Sequence, residues 1–243
     1  MITSVNNAKM KQIKKLWQKK YRQKEQQFLV EGPHLVEEAV AANQASLLIK
    51  AESAKPIRMD NSIDILDVTD EVMQSIGTTQ TSQGWMAVCI MQNPSRPRAG
   101  NVLLVDGVQD PGNLGTMIRT AEAAGMAGIV LSDATVDPYN DKVIRSSQGA
   151  IFHIPIQYKD LEEQMTVFRE EGKTIIGTAM EGKSYRAVTP SNEGFALVLG
   201  NEGAGVQLRL LERTDENVTI PIFGNAESLN VAVAAGILIY QWS

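Results

Sequence analysis

Three polar side chains crowd the point where the last apolar segment of this 243-residue chain begins. Glu227, Ser228 and Asn230 stand in the run AESLNVAVAAG, although a helix start needs only one capping residue. Two further loops set glycines around a single polar side chain. In DGVQDPGNLGTMIRTA, from Asp106, the residues Gly107, Gly112 and Gly115 permit close backbone approach, and Arg119 follows in the next helix. In LVLGNEGAGV, from Leu197, Gly200, Gly203 and Gly205 bracket Glu202. Each loop alone reads as a tight turn. Three in one half of the chain, carrying Arg119, Glu202 and Asn230, read together as a site. Glycine-rich strand ends usually hold phosphate or a nucleotide, yet neither G-x-G-x-x-G nor G-x-x-x-x-G-K-[ST] occurs. The second loop is G-x-x-G-x-G with no lysine after it, which disfavours an ordinary dinucleotide or ATP site.

The elements that must position these loops follow from periodicity. From Val102 onward, short apolar runs alternate with helical patterns: strands at Val102–Val105, Ile129–Leu131, Phe152–Pro155, Thr174–Thr178, Phe195–Leu199 and Val218–Ile220. Helices are expected at Asn113–Ala124, from Pro138 to about Ser146, at Leu161–Glu171 and Val206–Arg213, and from Val231 to Tyr240 behind a cap at Ser228 or Asn230. This alternation predicts a parallel sheet with crossover helices and a ligand site at the carboxyl ends of the strands. The last helix carries almost no charge and is expected to be buried on most of its circumference.

Ahead of it lies a smaller α/β pattern. A helix from Asn6 to Lys20 capped by Ser4, a strand at Phe28–Val30, and a helix from Gly32-Pro33 through Ala42 open it. Strands at Leu47–Ile49 and 63–66, a short helix capped by Thr69, and a strand at Trp85–Met91 complete it. The proline-bearing run NPSRPRAG, residues 93–100, reads as a linker. The chain is thus expected to hold one domain over 1–95, a connection at 96–100 and a second domain over 101–243.

Composition narrows the chemistry. Hydrophobic residues make up 43%, enough for a proper core. The single cysteine, Cys89, excludes an internal disulfide, and two histidines without a C-x-x-C make a structural zinc site improbable. No apolar run reaches membrane-spanning length and the N-terminus is not a signal peptide, so a cytoplasmic location is expected. Residues 1–100 hold 13 Lys and Arg against 10 Asp and Glu, and residues 101–243 hold 10 against 18, giving +3 and −8. Every charge before Glu25 is positive. A basic N-terminus on an acidic second half points to a polyanion partner bound through Lys11, Lys14, Lys15, Lys19 and Arg22.

NLGTMIRTA from Asn113, LGNEGAG from Leu199 and IPIFGNAESLNVAVAAG from Ile220 strongly resemble the three signature motifs of the SpoU/TrmH family of RNA ribose 2′-O-methyltransferases. The likeness extends to VIRSSQGAIFHIPI from Val143 and to FLVEGPHLVEEA from Phe28, which is similar to the α/β substrate-binding domain found ahead of many of these enzymes. Overall the chain is most similar to bacterial members described as 23S rRNA or tRNA methyltransferases. The resemblance implies a SPOUT domain, an α/β parallel sheet with a deep trefoil knot, homodimers formed through that domain, S-adenosylmethionine as cofactor and no metal. It places cofactor contacts at Thr178, Gly200, Ile220 and Leu229, and the family's polar site residues at Asn113, Arg119, Glu202, Ser228 and Asn230. Arg119 suits a bidentate phosphate clamp. Glu202 is expected to orient Arg119 or the ribose, and Ser228 and Asn230 to complete the hydrogen bonding or to cap the helix. rRNA is the preferred substrate, at a guanosine, and tRNA the alternative. A non-catalytic RNA-binding assembly factor is the rival reading, opposed by the full set of polar residues. A Rossmann oxidoreductase is disfavoured by the glycine spacing.

Overall fold

Local capping decides where the first helices run. The computed structural model describes residues 1–58, 63–92, 97 and 99–243. In place of one helix from Asn6 to Lys20 capped by Ser4, Asn7 caps α1 (Ala8–Lys15), accepting from the Lys9 and Met10 N–H groups at 2.9 and 3.3 Å. The backbone turns extended at Gln18 before α2 (Lys19–Glu25). Arg22 stabilises this break. Its Nη1 donates to the carbonyls of Leu16 and Trp17 at 3.1 and 2.6 Å, acceptors that the end of α1 leaves open. That bonding leaves Arg22 only 4% exposed. Its expected place among the RNA contacts is therefore withdrawn: it is a structural cation.

The first unit continues as β1 (Gln27–Glu31), α3 (Pro33–Ala41), β2 (Ala45–Ala51), β3 (Ile65–Val68), α4 (Asp70–Ile76) and β4 (Trp85–Ile90). Its sheet runs in the order β1-β4-β2-β3, antiparallel except between β2 and β3. Thr69 caps α4 as its sequence predicts. Met10, Ile13, Val72 and Met73 from α1 and α4 pack on Leu29, Ile49 and Met86 to form the core of this unit.

Then follow β5 (Val102–Val105), α5 (Pro111–Ala123), β6 (Gly128–Leu131), α6 (Asp141–Ser147), β7 (Ile156–Tyr158), α7 (Leu161–Glu170), β8 (Thr174–Ser184), β9 (Phe195–Leu199), α8 (Leu208–Leu211), β10 (Glu216–Thr219) and α9 (Val231–Trp242). The six strands form a wholly parallel sheet in the order β10-β8-β9-β5-β6-β7. Every residue of β5, β6 and β9 is buried, as unbroken apolar runs predict for strands covered on both faces.

Three local expectations change. The strand expected at Phe152–Pro155 begins only at Ile156, because Gln148 and Gly149 take φ of 50° and 92° and Ala150–Phe152 coils into a 3-10 turn. β8 runs past Thr178 to Ser184. Its partner β10 pairs Asn217 with Gly177 and then Val218 with Lys183, so residues 178–182 arch out of the ladder. α9 buries Ala232, Ala235, Leu238 and Ile239, while Val233 and Tyr240 are 53% and 59% exposed, so it is covered on one side rather than most of its circumference.

Packing divides the chain into Met1–Gln92 with Tyr139–Phe152, and Asn93–Pro138 with His153–Ser243. The alternation of elements assigns Tyr139–Phe152 to the second domain, but its contacts belong to the first unit. The Phe28 ring lies 4.7 Å from that of Tyr139 and 6.1 Å from that of Phe152, and Gln44 Nε2 donates to the Phe152 carbonyl at 3.1 Å. By packing, Tyr139–Phe152 groups with the first unit, inside the span expected for the second domain. The linker run expected over 93–100, with the connection between domains at 96–100, includes residues 93–96 and 98, which lie outside the described residues.

Candidate active site

The three polar loops follow the carboxyl ends of β5, β9 and β10 and are joined there by hydrogen bonds. Asp110 caps α5, accepting from the Asn113 N–H at 2.9 Å, and Pro111 begins the helix where no N–H is needed. This orients Asn113, whose Nδ2 donates to Glu202 Oε1 at 3.0 Å. Glu202 also accepts from the backbone N–H groups of Gln109 and Asp110, at 3.1 and 3.0 Å. On the other side Asn230 Nδ2 donates to Asn113 Oδ1 at 2.9 Å, while Asn230 Oδ1 caps α9 through the Ala232 and Val233 N–H groups at 2.9 and 3.3 Å. Asn230–Asn113–Glu202 is thus one hydrogen-bonded chain linking the three motifs. Burial alone would raise the Glu202 carboxyl, but the hydrogen bonds from the Asn113 amide and the Asp110 and Gln109 N–H groups outweigh it and hold the carboxyl below its ordinary value. Glu202 is therefore ionised at neutral pH.

Beside this chain lies a cavity of ≈ 580 Å³, within the range of about 300–1,000 Å³ common for small-ligand sites. Thr178, Gly200, Ile220 and Leu229, the four expected cofactor contacts, all line it, as do Glu202 and Ser228. Thr178 is held by its Oγ1 donating to the Val198 carbonyl at 3.1 Å. Gly200 has a more particular role than ligand approach: a Cβ there would stand 2.1 Å from Gly205 C and Val206 N, so only glycine lets the 201–205 turn close. At Gly224, which also lines the cavity, a Cβ would meet nothing within 4 Å. The cavity combines open glycine backbone, apolar walls at Ile220, Ile222 and Leu238, and the Glu202 carboxylate at its edge. That donor set fits an adenosyl group carrying a sulfonium.

Other expectations fare differently. Ser228 does not cap α9; Asn230 does. Glu202 bonds the start of α5 and not Arg119, so its expected role as the orienter of Arg119 is corrected. Arg119 is exposed on α5, makes no hydrogen bond or ion pair with any described residue, and does not line the cavity. Asn201 escaped sequence reasoning although it stands inside a signature motif. Its Nδ2 donates to the Gly107 carbonyl at 2.9 Å and its Oδ1 accepts from Gly203 and Ala204 N–H at 2.9 and 3.0 Å, folding the glycine turn onto the β5 loop. Lys11, Lys14, Lys15 and Lys19 are exposed. Lys14 Nζ donates to the Ser75 carbonyl at 2.7 Å, and Lys15 lies 5.4 Å from the centre of the Tyr21 ring. Burial pushes the Cys89 thiol up, which leaves it chemically inert. Among the described residues no group of three His, Cys, Asp or Glu is placed to hold a metal ion, and no helix is long and apolar enough to cross a membrane.

Residues 100–240 match the SpoU rRNA Methylase family, and residues 7–87 match the MRM3-like substrate binding domain. The chain is 46% identical over 243 residues to the 23S rRNA (guanosine(2553)-2′-O)-methyltransferase RlmP of Bacillus subtilis, covering 99% of this chain and 98% of that one. It is 34% identical to an uncharacterized tRNA/rRNA methyltransferase of a Synechocystis strain, over 99% of this chain and 92% of the other. Its fold is similar to that of the AdoMet-bound rRNA methyltransferase from Sinorhizobium meliloti, with a TM-score of 0.86, 29% identity and coverage of 99% and 95% of the two chains.

Proposed function

We propose, since this chain belongs to the SpoU rRNA methylase family, that it transfers the methyl group of S-adenosylmethionine to a ribose 2′-hydroxyl of 23S rRNA, at a guanosine. The observation that carries this reading is the hydrogen-bonded chain Asn230–Asn113–Glu202 standing beside a cavity lined by all four cofactor candidates. The full-length likeness to a 23S rRNA guanosine methyltransferase supports the substrate.

Thr178, Gly200, Ile220 and Leu229 would hold the cofactor, which supplies an electrophilic methyl on a sulfonium. The protein's own task is to bring a 2′-hydroxyl into line behind that methyl, an alignment worth about 7–11 kcal/mol when the pose is near-attack. Arg119 is suited to clasp the adjoining phosphate with its planar fork, and its lack of partners among the described residues leaves that fork available. A guanidinium stays protonated and is a poor proton acceptor, so positioning rather than proton removal is its role. Glu202 and Asn230 act as positioning residues through Asn113. The ionised Glu202 also gives the cavity edge a charge suited to a sulfonium.

Several finer features belong to the same proposal. The arch at 178–182 and the loops after β9 and β10 would form the trefoil knot of the family. The exposed apolar side of α9, with Val233 and Tyr240, would be covered by a second copy in a homodimer. Lys11, Lys14, Lys15 and Lys19 would bind RNA backbone, and the protein would act in the cytoplasm, where ribosomal RNA is available.

The test is tritiated methyl transfer from S-adenosylmethionine to unmodified 23S rRNA and, in a parallel arm, to tRNA, with calorimetry of the cofactor alone. Cofactor binding without RNA and ribose methylation confined to 23S rRNA are expected. Transfer confined to tRNA would replace the substrate. No cofactor binding at millimolar concentration would remove the enzymatic reading.

A further inference from the structure

The first unit contains a cavity of ≈ 360 Å³ that methyl transfer does not use. Gly32, His34, Thr79, Gln83, Arg145 and Gln148 are among its lining residues. Two motif stretches meet there: FLVEGPHLVEEA contributes Gly32 and His34, and VIRSSQGAIFHIPI contributes Arg145 and Gln148.

Arg145 is held along one edge only. Its Nη1 donates to Thr78 Oγ1 at 3.2 Å and pairs with Asp141 Oδ2 at 2.9 Å. The Thr78 hydroxyl donates in turn to Glu31 Oε2 at 3.3 Å. Glu31, 8% exposed, also takes the Thr78 and Thr79 N–H groups at 2.9 and 3.3 Å and the Thr79 hydroxyl at 2.5 Å. A buried carboxylate thereby fixes the 78–79 turn and, through Thr78, the guanidinium. Among the described residues nothing engages Arg145 Nε or Nη2. That pair of N–H groups is the edge a guanidinium offers to two oxygens of a phosphate. Across the cavity His34 Nε2 donates to the Gln148 carbonyl at 3.2 Å, which sets the ring, and Gln83 and Thr79 add amide and hydroxyl groups.

One oriented cation, set beside polar hydrogen-bonding groups and a Glu31 carboxylate already taken up by the 78–79 turn, differs from the lysine-rich surface of α1. Lysines attract any polyanion, whereas this cavity offers one phosphate fork and a set of polar edges suited to a single sugar or base. Asp141 offsets part of the Arg145 charge, which weakens capture of free phosphate and favours a phosphodiester already delivered by a bound strand. We propose that this cavity holds one unpaired nucleotide of the RNA substrate, with Arg145 clasping its phosphate and His34 and Gln83 contacting its sugar or base. The proposal rests on the RNA methyltransferase reading above. Arg145 is here a substrate-binding residue remote from the reacting atoms, and Thr78 and Glu31 position it.

The test uses the full-length protein, with in vitro transcribed 23S rRNA as the probe. Filter binding across a salt series, KM and kcat for methyl transfer, calorimetric cofactor affinity and thermal denaturation are measured for Arg145→Gln, Arg145→Lys, Thr78→Val and His34→Ala. Arg145→Gln is expected to weaken RNA binding about ten-fold and to reduce the log–log salt slope by about 0.7–0.9. KM for RNA should rise while kcat at saturating RNA and cofactor affinity stay as in the wild type. Arg145→Lys should keep the salt slope and still lose most of the affinity, because the fork is gone. Thr78→Val should weaken RNA binding with the charge intact, and together with His34→Ala it decides the matter if Arg145→Gln fails to fold. Lowered thermal stability with unchanged RNA affinity and salt slope in these variants would overturn the proposal and leave the methyltransferase reading standing. A wild-type protein that neither binds nor methylates the rRNA would overturn both.

Discussion

At the residue scale, the candidate site separates side chains bonded to one another from Arg119, which the proposed function assigns to the substrate phosphate. Asn113, Glu202 and Asn230 spend their hydrogen-bonding capacity on one another and on helix starts, whereas Arg119 makes no such bond with any described residue. An exposed residue of this kind can be replaced at a cost in stability usually under about 0.5 kcal/mol. Arg119→Lys and Arg119→Ala should therefore fold and bind S-adenosylmethionine as the wild type does. Both should lose methyl transfer by orders of magnitude, mainly in kcat at saturating RNA, since lysine keeps the charge but not the fork. Single-turnover transfer beside calorimetry of the cofactor checks this. Near-native kcat in Arg119→Lys would remove the clamp.

At the element scale, the cavity proposed for the cofactor depends on loops whose glycines do different work. Gly200 closes the turn after β9 against the Gly205–Val206 backbone, whereas the space around Gly224 is open. Gly200→Ala is expected to strain that turn by about 1–3 kcal/mol, so it lowers thermal stability and cofactor affinity together. Gly224→Val should leave the thermal transition unchanged and reduce cofactor affinity at least ten-fold by filling the cavity. Differential scanning and titration calorimetry on both variants separate the two effects. A Gly224→Val protein that binds cofactor like the wild type would place the ligand away from this loop.

At the scale of the whole molecule, the two units do not divide the sequence at one point. Tyr139–Phe152 leaves the second unit to pack with the first, held by the ring of Phe28. Phe28→Ala should cost about 3–5 kcal/mol, the usual result of emptying a buried aromatic site. A fragment starting at residue 101 would strip Tyr139 and Phe152 of the Phe28 ring and Phe152 of its bond from Gln44. It is expected to bind the apolar dye ANS and to lack a sharp thermal transition, which fluorescence and calorimetry report. A monodisperse fragment with a cooperative transition would show instead that the segment needs no support from the first unit.

What the sequence determined by itself lies in short-range pattern. The unbroken apolar runs of β5, β6 and β9, the Thr69 cap, and the glycine-rich motifs with Asn113, Glu202 and Asn230 were all legible, because strand burial, capping and loop chemistry are written within a few neighbouring residues. The location of α6 in the first unit, the arch at 178–182 and the burial of Arg22 were not. Each depends on partners far along the chain or on a backbone conformation that only packing selects: Phe28 against residues more than a hundred positions away, β10 pairing on both sides of the arch, and two open carbonyls at the end of α1. The sequence singled out Asn113, Glu202 and Asn230, which the structure joins by hydrogen bonds. Only the tertiary structure decided that Glu202 bonds Asn113 and the start of α5 and makes no bond with Arg119, because hydrogen-bond partners are chosen by distance in space, which residue spacing along the chain does not give.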